Sequence, residues 1–385
     1  MSTRHYLPEH IAEMPLVDHH CHAPLRLRQQ IKATHLRQPF TESTVPDVVE
    51  QDVPHTVAYR TMIRWLASLL GTDPTEHAVL EARARYEPPA YHRLLADDAR
   101  LAACCDDYLY EEERCYSPSE WAELIGRPVR PVVRIETVAE RLLPGVGSWD
   151  ELRERFSQEL VAAAAGGAVA FKSIAAYRSG LEIQRVDAAS ADEAFLQVIA
   201  DLDAGFFSRL EHKTLIDALL WEALEIAAEL GLPLQLHVGL GDDDVFLPTS
   251  NPTLLRALFQ EERYRHVPIV LLHCYPFVRE AAYLASIYPN AYVDLGLTLP
   301  LAAGEAVPLV QAVLGLAPAS KVLASTDGHG LPEFQWFAAR IWRATLTRVL
   351  GALVNDDLLT DAEALEVAAM ILHANAERIY PVERS

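Results

Sequence analysis

The segment VDHHCHAPL, at residues 17–25, places three imidazoles close together behind a short apolar run. On an extended strand, alternate side chains share a face, so His20 and His22 would point together and could hold one cation. His19 and Cys21 would point to the opposite face. Because most single histidines in strands are ordinary core or surface groups, this pair predicts a metal site only if further ligands join it.

Four later apolar runs end in polar residues that could join this pair, namely Lys172, His237, His273 and Asp327. Such a residue at the end of a buried strand is costly unless it is paired or does chemistry. In a parallel barrel, the carboxyl ends of all strands meet on one face, where these side chains would gather. Imidazole nitrogen and carboxylate oxygen suit zinc, manganese or iron, so the set predicts a divalent metal centre.

Short apolar runs alternate with amphipathic helical patterns along most of the chain. The runs predict strands at residues 16–20, 99–105, 130–136, 168–174, 232–238, 267–273, 291–297 and 321–326. This alternation predicts an α/β fold, a (β/α)8 TIM barrel, with a doubly wound sheet as the second choice. A chain of 385 residues is within the range of one barrel, so a single domain over residues 1–385 is expected.

Residues 26–98 do not follow the alternation, because they are polar and carry helical patterns such as residues 56–71. They predict a helical insertion after the first strand that covers the mouth of the barrel and shapes substrate access. A helical subdomain or oligomer surface without a catalytic role is the alternative. Farther on, residues 214–231 predict a helix that stops at Gly231, and residues 361–380 predict an amphipathic closing helix.

The net charge of −21 argues against a nucleic-acid or anionic-membrane partner, because both require a basic face. The five cysteines show no zinc or redox spacing, and free thiols fit a reducing compartment. We find neither the apolar stretch of a signal peptide nor a run of about 18 apolar residues. These features predict a cytoplasmic protein with a small-molecule substrate. The oligomeric state stays open, and a homodimer is compatible with the insertion.

The motifs VDHHCH, LQLHVG, VLLHC and ASTDGHG resemble those of the amidohydrolase superfamily of metal-dependent barrel hydrolases. More narrowly, FKSIAAYRSGL, PLQLHVGLGD and STDGHGLPE are similar to the amidohydrolase half of nodulin-like proteins that carry a glutamine-synthetase domain. The resemblance implies that His20, His22 and His237 hold metal. It makes Asp327 a ligand and general base, and His273 either a ligand or a hydrogen-bond donor to substrate.

Lys172 determines how many ions this resemblance implies. In part of the superfamily, a lysine at the end of the fourth strand becomes a carbamate (carboxylysine) and bridges two cations. A buried lysine near cations would have the lowered pKa that this reaction needs. Alternatively, Lys172 stays protonated and binds an anionic substrate beside one metal, or pairs with Glu136 or Asp106. We therefore expect one or two ions, with zinc first and manganese or iron as alternatives.

Further polar residues lie where substrate groups would be recognised. Arg134 and Glu136 end the predicted third strand, Tyr177 and Arg178 follow the fourth, and His329 and Glu333 follow the eighth. Arg178 is the best candidate for a substrate carboxylate, because guanidinium binds carboxylate in a bidentate manner. Its alternative is a loop-stabilising ion pair. The neighbouring Asp106 and Asp107 could be site residues or simple caps, and the sequence does not choose between these roles.

These features together predict a hydrolase in which a metal-activated water attacks a bond while Asp327 takes the proton. By resemblance, the target is an amide-type C–N bond of a small carboxylate-bearing compound, such as a γ-glutamyl amide. The alternative enzyme is a single-metal decarboxylase of the same superfamily. A barrel that keeps its metal only for stability is the third hypothesis.

Overall fold

The computed structural model describes residues 6–26 and 30–382 of the chain. Within those ranges, eight strands form one sheet whose spatial order follows the chain, and the paired strands run parallel. The strands are β1 (Leu16–Cys21), β2 (Leu101–Asp106), β3 (Val129–Arg134), β4 (Ala170–Ser173), β5 (Leu234–Val238), β6 (Ile269–His273), β7 (Ala291–Asp294) and β8 (Val322–Leu323). This sequential order is that of a (β/α)8 barrel, whereas the order of a doubly wound sheet reverses at a switch point. The predicted barrel fold is confirmed.

Helices occur before the first strand, between successive strands and after the last one. Up to β4 they are α1 (Tyr6–Glu13), α2 (Ala33–Arg37), α3 (Val57–Leu70), α4 (Glu76–Arg83), α5 (Pro88–Asp98), α6 (Pro118–Ile125), α7 (Ile135–Leu142) and α8 (Trp149–Ala165). From β4 to β7 they are α9 (Ala175–Arg178), α10 (Ala188–Asp203), α11 (Lys213–Leu230), α12 (Arg256–Phe259) and α13 (Val278–Ile287). After β7 they are α14 (Thr298–Leu301), α15 (Ala306–Leu314), α16 (Pro332–Asn355), α17 (Asp361–Ala369) and α18 (Asn375–Ile379). None of these helices is long and apolar enough to cross a membrane.

Every predicted strand run overlaps a strand, although several strands are shorter than the apolar run around them. The prediction that Glu136 ends the third strand is wrong, because β3 stops at Arg134 and Glu136 lies in the first turn of α7. Its carboxylate accepts hydrogen bonds from Ser173 Oγ (2.6 Å) and the Ile174 amide (3.0 Å). These bonds connect the first turn of α7 to the end of β4.

The described chain divides into two compact units. The first unit contains the residues up to Arg130 and those from Asp294 to Arg378, and the second contains Pro131–Val293 and the residues from Ile379 onward. The helices of the predicted insertion, α2–α5, belong to the first unit. The single domain over residues 1–385 stays a prediction.

In the first unit, the insertion packs against α16, the helix that follows Asp327. The rings of Phe40 and Phe334 lie 5.2 Å apart, edge to face. A buried ion pair joins Arg83 of α4 to Glu333 in the first turn of α16, and Tyr91 donates to the same carboxylate oxygen at 3.0 Å. A buried pair of this kind holds two elements in one register, because breaking it leaves an uncompensated charge. The cover over the barrel mouth stays a prediction.

In the second unit, the core consists of strand side chains and the long helix α11. Leu234 and Leu236 of β5 are fully buried, as are Leu220 and Leu224 of α11. Burial of each such leucine stabilises the fold by about 1.5–3 kcal/mol. The predicted end of this helix is confirmed, because Gly231 follows it in the left-handed region at φ 65°.

Candidate metal centre

The end of β1 and the residue that follows the strand carry the two histidines of the His-x-His motif in a buried position. His20 is completely buried and His22 is 9% exposed. Their rings lie 5.3 Å apart with planes at 81°. Both Nε2 atoms face one oxygen, Asp327 Oδ1, at 3.0 Å for His20 and 3.3 Å for His22. The first unit therefore brings together three residues that are distant in sequence.

The loop after β8 holds Asp327 by backbone bonds to the end of β1. The Asp327 amide donates to the His20 carbonyl at 3.1 Å, and the His22 amide donates to the Gly328 carbonyl at 2.6 Å. Asp327 itself adopts φ +49°, a left-handed conformation that costs free energy in a non-glycine residue. Gly328 leaves no room for a side chain, since a Cβ there would lie 2.6 Å from Gln335 Cβ. The fold thus maintains a strained backbone at the residue predicted to act as base.

The hydrogen bond of His22 determines which ring nitrogen can bind a cation. His22 Nδ1 lies 3.1 Å from the Asp107 carbonyl oxygen, which can only accept, so Nδ1 carries the proton. In the neutral ring, Nε2 then presents its lone pair to the Asp327 carboxylate. Two acceptors facing each other in a buried site are unfavourable unless a proton or a cation lies between them.

The two distances from Asp327 Oδ1 to the histidine nitrogens fit a divalent cation. Nitrogen and oxygen ligands at about 2.0–2.2 Å from one zinc ion are about 3.0–3.4 Å from each other at octahedral or tetrahedral angles. The separations of Asp327 Oδ1 from His20 and His22 Nε2 fall in that interval. Two imidazoles and a carboxylate are also a usual donor set for zinc, manganese and iron. The residues present therefore fit the metal that the sequence predicts.

Two further buried carboxylates surround the cluster, and they support the backbone rather than offer ligands to it. Asp18 accepts from the Thr326 amide (2.8 Å) and from Gln335 Nε2 (2.9 Å), and burial raises its pKa to about 6. Asp294 accepts from the Ser325 amide (3.1 Å) and lies 3.4 Å from His19 Nε2. Asp294 was not among the predicted site residues, because it lies inside the predicted run 291–297, whereas β7 ends at Asp294.

The second unit holds the predicted ligands of β5 and β6. The rings of His237 and His273 lie 4.6 Å apart, and the ring of Tyr177 lies 4.3 Å from that of His237. His237 Nε2 lies 2.9 Å from the Leu240 carbonyl oxygen, so Nε2 carries the proton and Nδ1 holds the lone pair. His273 adopts φ +67°, again a strained backbone at a strand end.

Lys172 lies on β4 in register with Arg134 of β3 and Gln235 of β5, and it is 2% exposed. The adjacent Ser173 donates to Glu136, whose pKa is raised by burial. Glu136 therefore supports the end of β4. The bridging role of Lys172 stays a prediction, and so do the metal roles of His237 and His273.

Several residues that are predicted to contact substrate have hydrogen-bond or ion-pair partners inside the protein. Arg178 is mostly buried, with Nη2 at 3.9 Å from Glu140 Oε1. His329 Nδ1 lies 2.8 Å from the Asp327 carbonyl oxygen, and Glu333 holds Arg83 and Tyr91. This ion pair joins the end of α9 to α7, and a structural ion pair stays the alternative to substrate binding for Arg178. Substrate binding stays a prediction for these residues and for Arg134, Glu136 and Tyr177.

Comparison with known proteins identifies several relatives. A family model described as Amidohydrolase matches residues 130–382. Protein fluG of Emericella nidulans is 31% identical over 412 residues, which cover 98% of this chain and 46% of fluG. The chain thus spans about half of the length of that curated relative.

Solved structures agree with the fold. A Lactobacillus casei protein assigned as a metal-dependent hydrolase is similar at a TM-score of 0.88 and 28% identity, covering 98% of this chain and 99% of its own. Uronate isomerase of Thermotoga maritima has a TM-score of 0.72 at 14% identity, covering 98% of this chain and 97% of its own. At that identity the isomerase supports the fold alone.

Proposed function

The chain belongs to the amidohydrolase family, and from that premise we propose that it hydrolyses a C–N bond of a small, carboxylate-bearing substrate with the help of a divalent metal. Membership of this family makes the protein an enzyme. The bond type, the substrate and the residue roles given below are our proposal.

One observation carries the proposal, namely the convergence of His20 Nε2 and His22 Nε2 on Asp327 Oδ1. The proton on His22 Nδ1 is directed to the Asp107 carbonyl, which leaves Nε2 as a ligand atom. A partner that fixes the tautomer in this way is common for metal-binding histidines. Burial excludes the bulk water that would otherwise compete for the carboxylate.

A divalent cation, when bound, lowers the pKa of adjacent water to about 7 and polarises the bond under attack. Asp327 supplies the base, because its carboxylate projects from a loop bonded to β1 and lies beside both imidazoles. With Oδ1 facing the imidazoles, the other carboxylate oxygen, Oδ2, would take the proton of the attacking water and pass it to the leaving nitrogen. The strained φ of Asp327 directs the carboxylate to this place before substrate arrives.

We also propose metal roles for Lys172, His237 and His273. Each lies at the carboxyl end of a strand, which is where (β/α)8 enzymes build their active sites. For His237, the bond from Nε2 to Leu240 leaves Nδ1 as the ligand atom. Zinc is the first expectation for the metal, with manganese or iron as alternatives, and a carbamate on Lys172 would accompany a second ion.

The proposed substrate class depends on Arg178 and its neighbours in the second unit. Guanidinium binds a carboxylate in a bidentate manner. Because the ion pair of Arg178 with Glu140 is long, at 3.9 Å, the guanidinium can exchange Glu140 for a substrate carboxylate. A γ-glutamyl amide has the required carboxylate and C–N bond. Relatedness to fluG is consistent with this class but adds no chemical argument of its own.

Removal of the metal tests the proposal. We expect chelation and dialysis to lower release of amine or ammonia from a panel of amides by at least about 10²-fold, and added Zn²⁺ or Mn²⁺ to restore it. Elemental analysis and intact mass of the restored protein give the number of ions and reveal a carbamate. Full activity of metal-free protein would refute the mechanism. Release of CO₂ from an aromatic acid, without amide hydrolysis, would instead support the decarboxylase alternative.

A further inference from the structure

Two adjacent aspartates follow the second strand, and the structure gives them different positions. Asp106 is the last residue of β2, and Asp107 follows it. Both are completely buried. A buried carboxylate needs hydrogen bonds, a proton or a cation, so each must have a definite role.

The register of the parallel pair β1–β2 separates the two side chains. Cys21 pairs with Asp106, and one step farther the Asp107 amide donates to the Cys21 carbonyl at 2.9 Å. His22 and Asp107 therefore occupy the next equivalent positions. Since successive residues of extended chain point to opposite faces, Asp107 shares the face of His22 while Asp106 shares that of Cys21.

The contacts agree with this assignment. Asp106 Oδ1 accepts from the Ala23 amide at 2.9 Å, so Asp106 caps the chain that leaves β1. Asp107 contacts His22 through its main-chain oxygen at 3.1 Å. In addition, its carboxylate and a ring nitrogen each from His20 and His22 all lie within 4.8 Å of one another.

From this geometry we infer that the Asp107 carboxylate is a further ligand of the cation held by His20, His22 and Asp327. This inference rests on the proposed metal-dependent function. Asp107 then acts twice: its carbonyl fixes the tautomer of His22, and its carboxylate adds a second negative charge to the ligand set. Two carboxylates and two neutral imidazoles balance the charge of one divalent ion, which favours its retention in a buried site.

Substitution of each aspartate by asparagine tests the inference with a matched control. Asp107→Asn and Asp106→Asn each replace one carboxyl oxygen by an amide nitrogen without a change of size, and both keep the main-chain bonds. Apoprotein is titrated with Zn²⁺ by calorimetry, and the visible spectrum of bound Co²⁺ reports the number of ligands. We expect Asp107→Asn to weaken Zn²⁺ binding at least tenfold, or to lower the stoichiometry by one ion, and to change the Co²⁺ spectrum. Asp106→Asn should stay within threefold of the wild type.

Zn²⁺ binding by Asp107→Asn within threefold of the wild type would overturn the inference, and so would an equal loss in Asp106→Asn. If Asp107→Asn folds poorly, Asp107→Glu keeps a carboxylate and should retain Zn²⁺ while altering the Co²⁺ spectrum; an unaltered spectrum would overturn the inference. Failure of the proposed function is recognised separately, because wild-type protein would then bind no Zn²⁺ at all.

Discussion

His22 in the first unit and His237 in the second are both predicted ligands, yet they use opposite ring nitrogens. His22 donates from Nδ1 to the carbonyl of Asp107, whereas His237 donates from Nε2 to the carbonyl of Leu240. Around His22, the free nitrogen faces a carboxylate at 3.3 Å. Around His237, the neighbours that we find are the rings of Tyr177 and His273.

A carboxylate beside two imidazoles compensates the charge of a cation, so the region at β1 and β8 is suited to hold it. The region at β5 and β6 carries the neutral rings of His237 and His273 in contact with each other, and their metal roles stay a proposal. In both regions a backbone carbonyl determines which ring nitrogen of the histidine carries the proton. Substitution of side chains leaves these carbonyls in place.

The largest effect is expected from Asp327, the proposed general base in the first unit. Asp327→Asn keeps the size of the side chain but removes the proton acceptor, so turnover should fall about 10³-fold. The measurement is kcat with saturating metal, together with the midpoint of unfolding. Asp356→Asn, an exposed carboxylate in the same unit, serves as the control and should be unchanged. A nearly normal rate in Asp327→Asn would remove its assignment as base.

A second prediction compares the two regions directly through their histidines. His22→Ala should weaken Zn²⁺ binding about 10²-fold, because it leaves the Asp327 charge without one of its partners. His237→Ala should weaken binding only about tenfold, because it removes one neutral imidazole and leaves the Asp327 carboxylate beside His20 and His22. Calorimetric titration of both apoproteins measures the difference. Equal losses in the two variants would show that the two regions contribute alike, contrary to our interpretation.

The smallest effect is expected from Arg178, the residue of the second unit that we propose binds the substrate carboxylate. If Arg178 binds a substrate carboxylate, Arg178→Gln should raise KM about tenfold with little change in kcat. Glu140→Gln breaks the same ion pair without removing the guanidinium, so it should change KM less than about twofold. An equal rise of KM in both variants would indicate the loop ion pair alone.

Much of the fold could be predicted because its pattern is local. Each β-strand is a short apolar run, and the end of α11 at Gly231 follows from a glycine that adopts positive φ. The prediction failed for Glu136, since a strand that passes into a helix without a loop leaves no turn residue to mark the boundary.

The candidate site was only partly predictable, for a different reason. Sequence patterns select residues by type, and Asp18, Asp106, Asp107 and Asp294 are chemically alike. Their roles differ because of the atoms that lie near them, such as the Thr326 amide for Asp18 and the Ala23 amide for Asp106. Those neighbours come from other elements, so no local pattern could assign the roles.

The order of strands and helices, the family and the residue types available for metal binding can be read from the amino-acid sequence, because periodicity and motifs are properties of nearby positions. Which aspartate faces the histidine pair, and which ring nitrogen carries a lone pair, depends on contacts that form only on folding. For His22 that decision depends on a carbonyl 85 positions away, and folding alone brings the two groups together. The chemistry expected of this protein follows from that contact between two neighbouring strands.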